Sequence, residues 1–250
     1  MTQTILITGA TAGIGQATAE LLARAPGNRL ILTGRRAERL DALARVLPCE
    51  THLLSFDVRD RAATLAALNG LPDDWKNIDV LVNNAGLALG LNPMDTGDYA
   101  DWETMVETNI LGLLTVTQAI LPGMKARGRG HIINIGSIAG SYHYPGGYAY
   151  GGTKAFVNYF SLALRADQLG APIRVTNIEP GMADTEFSQV RFKGDAQKAG
   201  AVYAGLEPLH ASDVAEAIRW AMAQPAHVNI NRIELMPLMQ APAGLAVKRG

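Results

Sequence analysis

Two hydrophobic periodicities alternate along the chain. Residues 4–8 (TILIT) are apolar on both faces, as a strand buried between two layers requires. From 15–25 the spacing turns helical, with Ile14, Ala17, Thr18 and Leu21 on one face. The same reading predicts strands at 29–33, 52–57, 78–83, 131–136, 173–178 and 231–235. It predicts helices at 36–47, 60–70, 101–125 and 149–169, and a last helix capped by Ser212 that aligns Val214, Ala217, Ile218 and Ala221. Strand–helix alternation throughout implies an α/β fold, doubly wound, with about seven parallel strands and helices on both faces. No repeat or linker interrupts it, so residues 1–250 are read as one domain. The stretch 182–208 has neither periodicity and is read as a substrate lid, with a variable surface excursion as the plainer alternative. The tail 235–250 is apolar and proline-rich, and is expected to pack on another subunit or cover its own site.

Composition narrows the class. Of 250 residues, 48% are hydrophobic and 18% charged, which fits a packed globular chain. The net charge of −1 is spread over mixed acids and bases, so neither a nucleic-acid stripe nor a membrane-binding patch is expected. The one cysteine, Cys49, has no partner for an internal disulfide, and no Cys/His cluster has metal-ligand spacing. The N-terminus has no charged leader, and no apolar run is read as long enough to span a bilayer, so a cytoplasmic enzyme is expected.

The first chemical signal is Thr8-Gly9-Ala10-Thr11-Ala12-Gly13-Ile14-Gly15, between the first strand and the first helix. Glycines permit a tight turn and close approach by a phosphate, while the free N–H groups opening a helix favour an anion. The spacing is G-x-x-x-G-x-G and not the commoner G-x-G-x-x-G, so the position after strand one carries the argument. A Rossmann-type dinucleotide site follows. Beyond strand two, an acid would bind the adenosine ribose 2′-hydroxyl and an arginine would accommodate a 2′-phosphate. Here Gly34 is followed by Arg35 and Arg36, which favours NADP(H); Arg36 as a solvated helix-start residue is the alternative.

The second signal is Tyr150 and Lys154, four apart and so on one face of a helix. A phenol with an ordinary pKa near 10 is a poor acid/base at neutral pH, and an adjacent ammonium is expected to lower that value. Ser137 lies just past the fifth strand, at the carboxyl edge where ligands bind in such sheets. Its hydroxyl is placed to hydrogen-bond a substrate carbonyl.

With these residues in view, the chain resembles the short-chain dehydrogenase/reductase family over nearly its whole length. The resemblance rests on TGATAGIG at 8–15, Asp57-Val58, NNAG at 83–86, Asn109, Ser137, Tyr150 with Lys154, and Pro180-Gly181 followed by Thr185. It implies that Tyr150 is the general acid/base, that Lys154 tunes it and holds the nicotinamide ribose, and that Ser137 orients the substrate. It implies further that Asn109 anchors a water-linked proton relay through Lys154. Gly9, Thr11, Gly13, Ile14 and Gly15 would hold the pyrophosphate, Asp57 and Val58 the adenine. Asn84, Ala85 and Gly86 would line the cofactor, and Pro180, Gly181, Met182 and Thr185 its nicotinamide side. The segments at 82–90, 101–105, 130–137, 185–195 and 225–231 resemble the family's NADP-dependent 3-hydroxy acid (serine 3-) dehydrogenase branch. That branch implies a serine-like 3-hydroxy acid or malonic semialdehyde as substrate and a homo-oligomer, commonly a tetramer. Arg191 or Lys193, in the expected lid, would pair with the substrate carboxylate, unless both are solvent-facing charges. Another small carbonyl substrate is the alternative within this reading. A non-catalytic NADP-binding regulator or a structural oligomer is the alternative outside it; Ser137, Tyr150 and Lys154 argue against the first and the open glycine loop against the second.

Overall fold

The computed structural model describes residues 3–242; the part of the tail beyond Pro242 lies outside the described residues. In chain order the first half comprises β1 (Gln3–Ile7), α1 (Gly13–Leu22), β2 (Asn28–Gly34), α2 (Ala37–Val46), β3 (Thr51–Ser55), α3 (Arg61–Asn69) and β4 (Val80–Asn83). There follow α4 (Tyr99–Val106), a π-helical turn (Glu107–Gly112), α5 (Leu113–Arg127), β5 (Gly130–Ile135) and α6 (Tyr148–Asp167). The last part holds β6 (Ile173–Pro180), β7 (Ala183–Asp184), α7 (Phe187–Arg191), α8 (Ala196–Ala201), β8 (Leu209–His210), α9 (Ala211–Met222) and β9 (Arg232–Leu235).

Seven strands form one sheet in the order β3-β2-β1-β4-β5-β6-β9, and every pairing is parallel. The strands are apolar on both faces because each face carries a helical layer. Ile5, Ile7, Leu30, Leu32, Val82 and Ile133 pack with α1, α2 and α9 through Ala19, Leu40, Val214 and Ile218. Their alternate neighbours Leu6, Ile31, Leu81, Ile132 and Val175 face the other way, against Leu68 of α3, Val116 and Ile120 of α5 and Leu164 of α6. The period-two alternation of a strand thus divides one apolar run between two cores. The strand order reverses between β1 and β4, and a crevice opens there at the carboxyl ends, where this class of sheet binds ligands.

Four sequence expectations change. The last helix is capped by His210, in a reciprocal box with Asp213, and Ser212 falls inside its first turn. The predicted helix 101–125 is instead a longer, interrupted one, with a π-turn where Asn109 turns inward. This stretch, Tyr99–Arg127, is 29 residues long and by length and composition alone is long and apolar enough to cross a membrane. Counting contiguous apolar residues missed it, because threonines and Asn109 interrupt the run. Half of its most apolar window is buried inside the fold, against β4, β5, α3 and α6. Finally, the segment 182–208 is not unstructured: it holds α7, α8 and the short parallel pair β7–β8.

Candidate active site

The glycine loop is shaped by packing as much as by conformation. Gly15 lies within α1 so close to the loop that a Cβ would strike the Gly9 carbonyl oxygen and approach Asn84 Nδ2 at 2.5 Å. It is buried and lines no part of the cavity, so it brings the helix N-terminus up to the loop. Gly13 has φ +54°, a backbone that L side chains rarely adopt, and a Cβ there would sit 3.2 Å from Thr185 Cβ. Behind the loop, Thr8 Oγ1 accepts from the N–H groups of Asn84 and Ala85, at 3.0 and 2.9 Å. Asn84 Nδ2 donates to the carbonyls of Thr8 and Gly9. The carboxyl ends of β1 and β4 are thereby fixed to each other.

A cavity of about 620 Å³ extends from this loop. Gly9, Thr11, Gly13, Ile14, Arg35, Arg36, Asp57 and Val58 line one end. Asn84, Ala85 and Gly86 line the middle, Thr185 lies beside Gly13, and Ser137, Tyr150, Lys154, Pro180, Gly181, Met182 and Arg191 line the other end. Nearly every residue singled out by sequence is thus brought to one continuous space. Asn109 stands behind the wall: its Oδ1 accepts from Leu87 N–H at 2.9 Å, and its Nδ2 donates to Leu87 O and Thr153 Oγ1.

Tyr150 and Lys154 are both buried, on α6. Burial raises the Tyr150 phenol well above its ordinary value; the Ser137 hydroxyl and the Arg191 guanidinium act in the opposite sense, and Tyr144 adds to the rise. Lys154 is not among the groups that shift the Tyr150 phenol. Lys154 Nζ lies 5.8 Å from the Tyr150 ring centre and donates to Ile135 O at 2.7 Å. Burial lowers its own pKa to about 8. Asn109 and Lys154 both approach Gly86, and the Asn109 side chain is held by Leu87 and Thr153.

The two lid cations part company. Lys193 pairs with Asp101 at 2.9 Å and Asp98 at 3.4 Å, and does not line the cavity, so the expectation that it could hold a substrate is set aside. Arg191 lines the cavity, donates to Tyr144 Oη at 2.7 Å, and lies 5.6 Å from the Tyr150 ring. It forms no ion pair with a carboxylate among the described residues. At the opposite end Arg36 is largely committed to protein, donating to Thr11 and to Glu186 Oε2 at 3.1 Å. Arg35 is more open, with 60% of its side chain exposed and Asp57 at 3.7 Å.

Sequence reasoning missed Tyr144, Phe187, Glu186 and Gln240. Phe187 packs its ring 5.5 Å from Tyr150, and Gln240 accepts the Met182 N–H at 2.8 Å. Gln240, Ala241 and Pro242, from the described part of the tail, line the cavity. A sequence signal existed for the aromatics, since Tyr144 and Phe187 flank residues already selected; Gln240 had none.

The fold and this cavity define a dinucleotide-binding α/β protein with a buried tyrosine at the far end of the groove. A family model for short chain dehydrogenases matches residues 3–196, and the chain belongs to that family. It is 54% identical over 246 residues to the NADP-dependent 3-hydroxy acid dehydrogenase of Salmonella typhi, covering 98% of this chain and 99% of that protein. It is 52% identical over 249 residues to the serine 3-dehydrogenase of Rhizobium radiobacter, covering 100% and 99%. Among solved structures, the closed form of a serine dehydrogenase complexed with NADP+ superposes with TM-score 0.97 at 52% identity, over 99% of this chain and 100% of that one. The serine dehydrogenase of Escherichia coli gives 0.83 at 47% identity, over 96% and 100%.

Proposed function

We propose that this protein is an NADP-dependent dehydrogenase that interconverts a small 3-hydroxy acid, of the serine or 3-hydroxypropionate type, and the matching carbonyl compound. The observation that carries the substrate reading is Arg191: a guanidinium in the cavity beside Tyr150, with no carboxylate partner among the described residues. A substrate carboxylate can take that place with charge-assisted hydrogen bonds.

The cavity fits the dinucleotide. The loop offers helix N–H groups to a pyrophosphate, and the crevice leads from two arginines to the tyrosine. Gly9, Thr11, Gly13 and Ile14 would hold the pyrophosphate, with Gly15 seating the helix behind them. Arg35 would meet the 2′-phosphate, with Arg36 beside it; Asp57 and Val58 would flank the adenine. Asn84, Ala85, Gly86, Pro180, Gly181, Met182 and Thr185 would border the remainder. When bound, NADP supplies or accepts a hydride at its nicotinamide ring.

The residues handle the proton. Burial holds the proton on Tyr150, which suits it to give a proton to a carbonyl oxygen during reduction. During oxidation the phenolate must accept the hydroxyl proton, and Arg191 and Ser137 favour that form. Ser137 would orient the substrate oxygen, Lys154 would hold a ribose hydroxyl, and Asn109 fixes the wall that carries Leu87.

The segment 182–208 serves as the lid in this reading. The same reading makes the protein a cytoplasmic homo-oligomer, specifically a tetramer. Exposed apolar side chains on α6 and the adjoining π-turn, Tyr159 at 76%, Leu162 at 50% and Leu111 at 52%, support association. The substrate test is kinetic. Arg191→Met should raise KM about 10–100-fold for 3-hydroxypropionate or malonic semialdehyde, the loss of a charged hydrogen bond. For a carboxylate-free alcohol or aldehyde of similar size KM should barely change. An unaltered KM for the acid would sink the clamp.

A further inference from the structure

Three consecutive lid residues touch three separate parts of the nucleotide groove. Thr185 lies over Gly13 of the glycine loop. Phe187, at the start of α7, packs on Tyr150. Between them, Glu186 reaches the opposite end: Oε2 accepts from Arg36 at 3.1 Å and Oε1 from Arg39 at 2.7 Å. Arg36 in turn donates to Thr11 Oγ1 through both Nε and Nη2. One carboxylate therefore joins the lid to the start of α2 and, through Arg36, to the glycine loop. The other local acid, Asp57, is engaged by Arg59 at 2.8 Å and Arg35 at 3.7 Å, so the two arginine pairs have separate counter-ions. The two arginines pull the Glu186 carboxyl below its ordinary range, which keeps it ionised.

We propose that Glu186 is a positioning residue for the cofactor: its ion pairs with Arg36 and Arg39 fasten the lid across the glycine loop and set how fast the dinucleotide leaves. The strap needs no 2′-phosphate, because all of its partners are protein groups. It also gives Arg36 a task different from that of Arg35, which stays open toward solvent. Arg39 becomes part of the cofactor machinery although it does not line the cavity. The proposal rests on reading the cavity as a dinucleotide site.

The test is the dissociation rate of NADPH and of NADH, followed by stopped-flow nicotinamide fluorescence in the wild type, Glu186→Gln and Arg39→Gln. Near-UV circular dichroism of each free protein serves as the folding control. Loss of one or two partly exposed pairs should speed release of both dinucleotides about 3–10-fold in either variant. Unchanged rates for both cofactors would overturn the strap. So would tighter NADPH binding with NADH unaffected in Glu186→Gln, because Glu186 would then be a counter-ion competing with the phosphate. Failure of the wild type to bind either dinucleotide would remove the cofactor reading itself, and the strap with it.

Discussion

Tyr150 is surrounded by groups that act on its proton in opposite directions. Burial holds the proton on; Arg191 and Ser137 help take it off. Arg191 ends α7, within the segment proposed as the lid. Lys154 acts on something else in the free protein, through its bond to Ile135 O. The arginines at the other end divide similarly. Arg36 is fastened to Thr11 and Glu186, whereas Arg35 is open to a ligand. Arg35→Ser should therefore weaken NADPH binding about 10–100-fold, the value of a lost charged contact, and leave NADH binding nearly unchanged. Fluorescence titration with both cofactors checks this; equal losses for the two would mean that Arg35 does not read the phosphate. The sequence placed Tyr150, Lys154 and Ser137 together because helical spacing and strand ends are local rules. It could not separate Arg191 from Lys193, because only the fold brings Asp98 and Asp101 up to Lys193.

Elements explain where other residues were hidden. The π-turn at Glu107–Gly112 interrupts a helix that periodicity read as continuous, and a wide turn of this kind commonly marks a functional position. Asn109 sits in it and satisfies both the N–H and the C=O of Leu87. Asn109→Ala would leave two buried backbone groups unpaired, so urea denaturation should show a loss of about 2–4 kcal/mol. A loss below about 0.5 kcal/mol would mean that water replaces the amide. On β5, His131 is buried and hydrogen-bonded to Thr176 Oγ1 at 2.8 Å. Burial and, secondarily, Arg174 depress its pKa to about 3. The unfolded chain, with an ordinary histidine near 6.5, therefore binds the extra proton first as pH falls. Stability should be fully retained above pH 6.5 and decline toward pH 3, by up to about 4 kcal/mol in this one term. Denaturation across that range in wild type and His131→Asn checks it; the variant should show a shallower slope, and an identical slope would assign the decline to other groups.

For the whole molecule, topology converts separate signals into a site. The reversal between β1 and β4 puts the glycine loop and Asn84–Ala85–Gly86 on either side of one crevice. This much was legible from apolar runs, because a strand buried on both faces has few alternatives. The elements within 182–208 were not, since α7, α8 and the β7–β8 pair are too short for periodicity to register. The tail was legible only as apolar; the bond from Met182 N–H to Gln240 depends on a chain separation no local pattern records. A cavity lined by loop, sheet edge, lid and tail should make cofactor binding stabilise the whole fold. At NADPH a hundredfold above its Kd, about 2.7 kcal/mol of added stability should raise the melting temperature by about 5–11 °C. An unmoved transition would mean that the folded protein does not hold the dinucleotide.

We propose that this cavity transfers a hydride with Tyr150 handling the proton. The most direct measurement follows NADPH absorbance with malonic semialdehyde, and NADP+ reduction with 3-hydroxypropionate and serine, in the wild type and in Tyr150→Phe, with NADPH affinity measured on both. The expected result is turnover in the wild type and a fall in kcat of about 10²–10⁴-fold in the variant, with NADPH affinity nearly unchanged. Turnover retained in Tyr150→Phe at the wild-type rate would contradict the account.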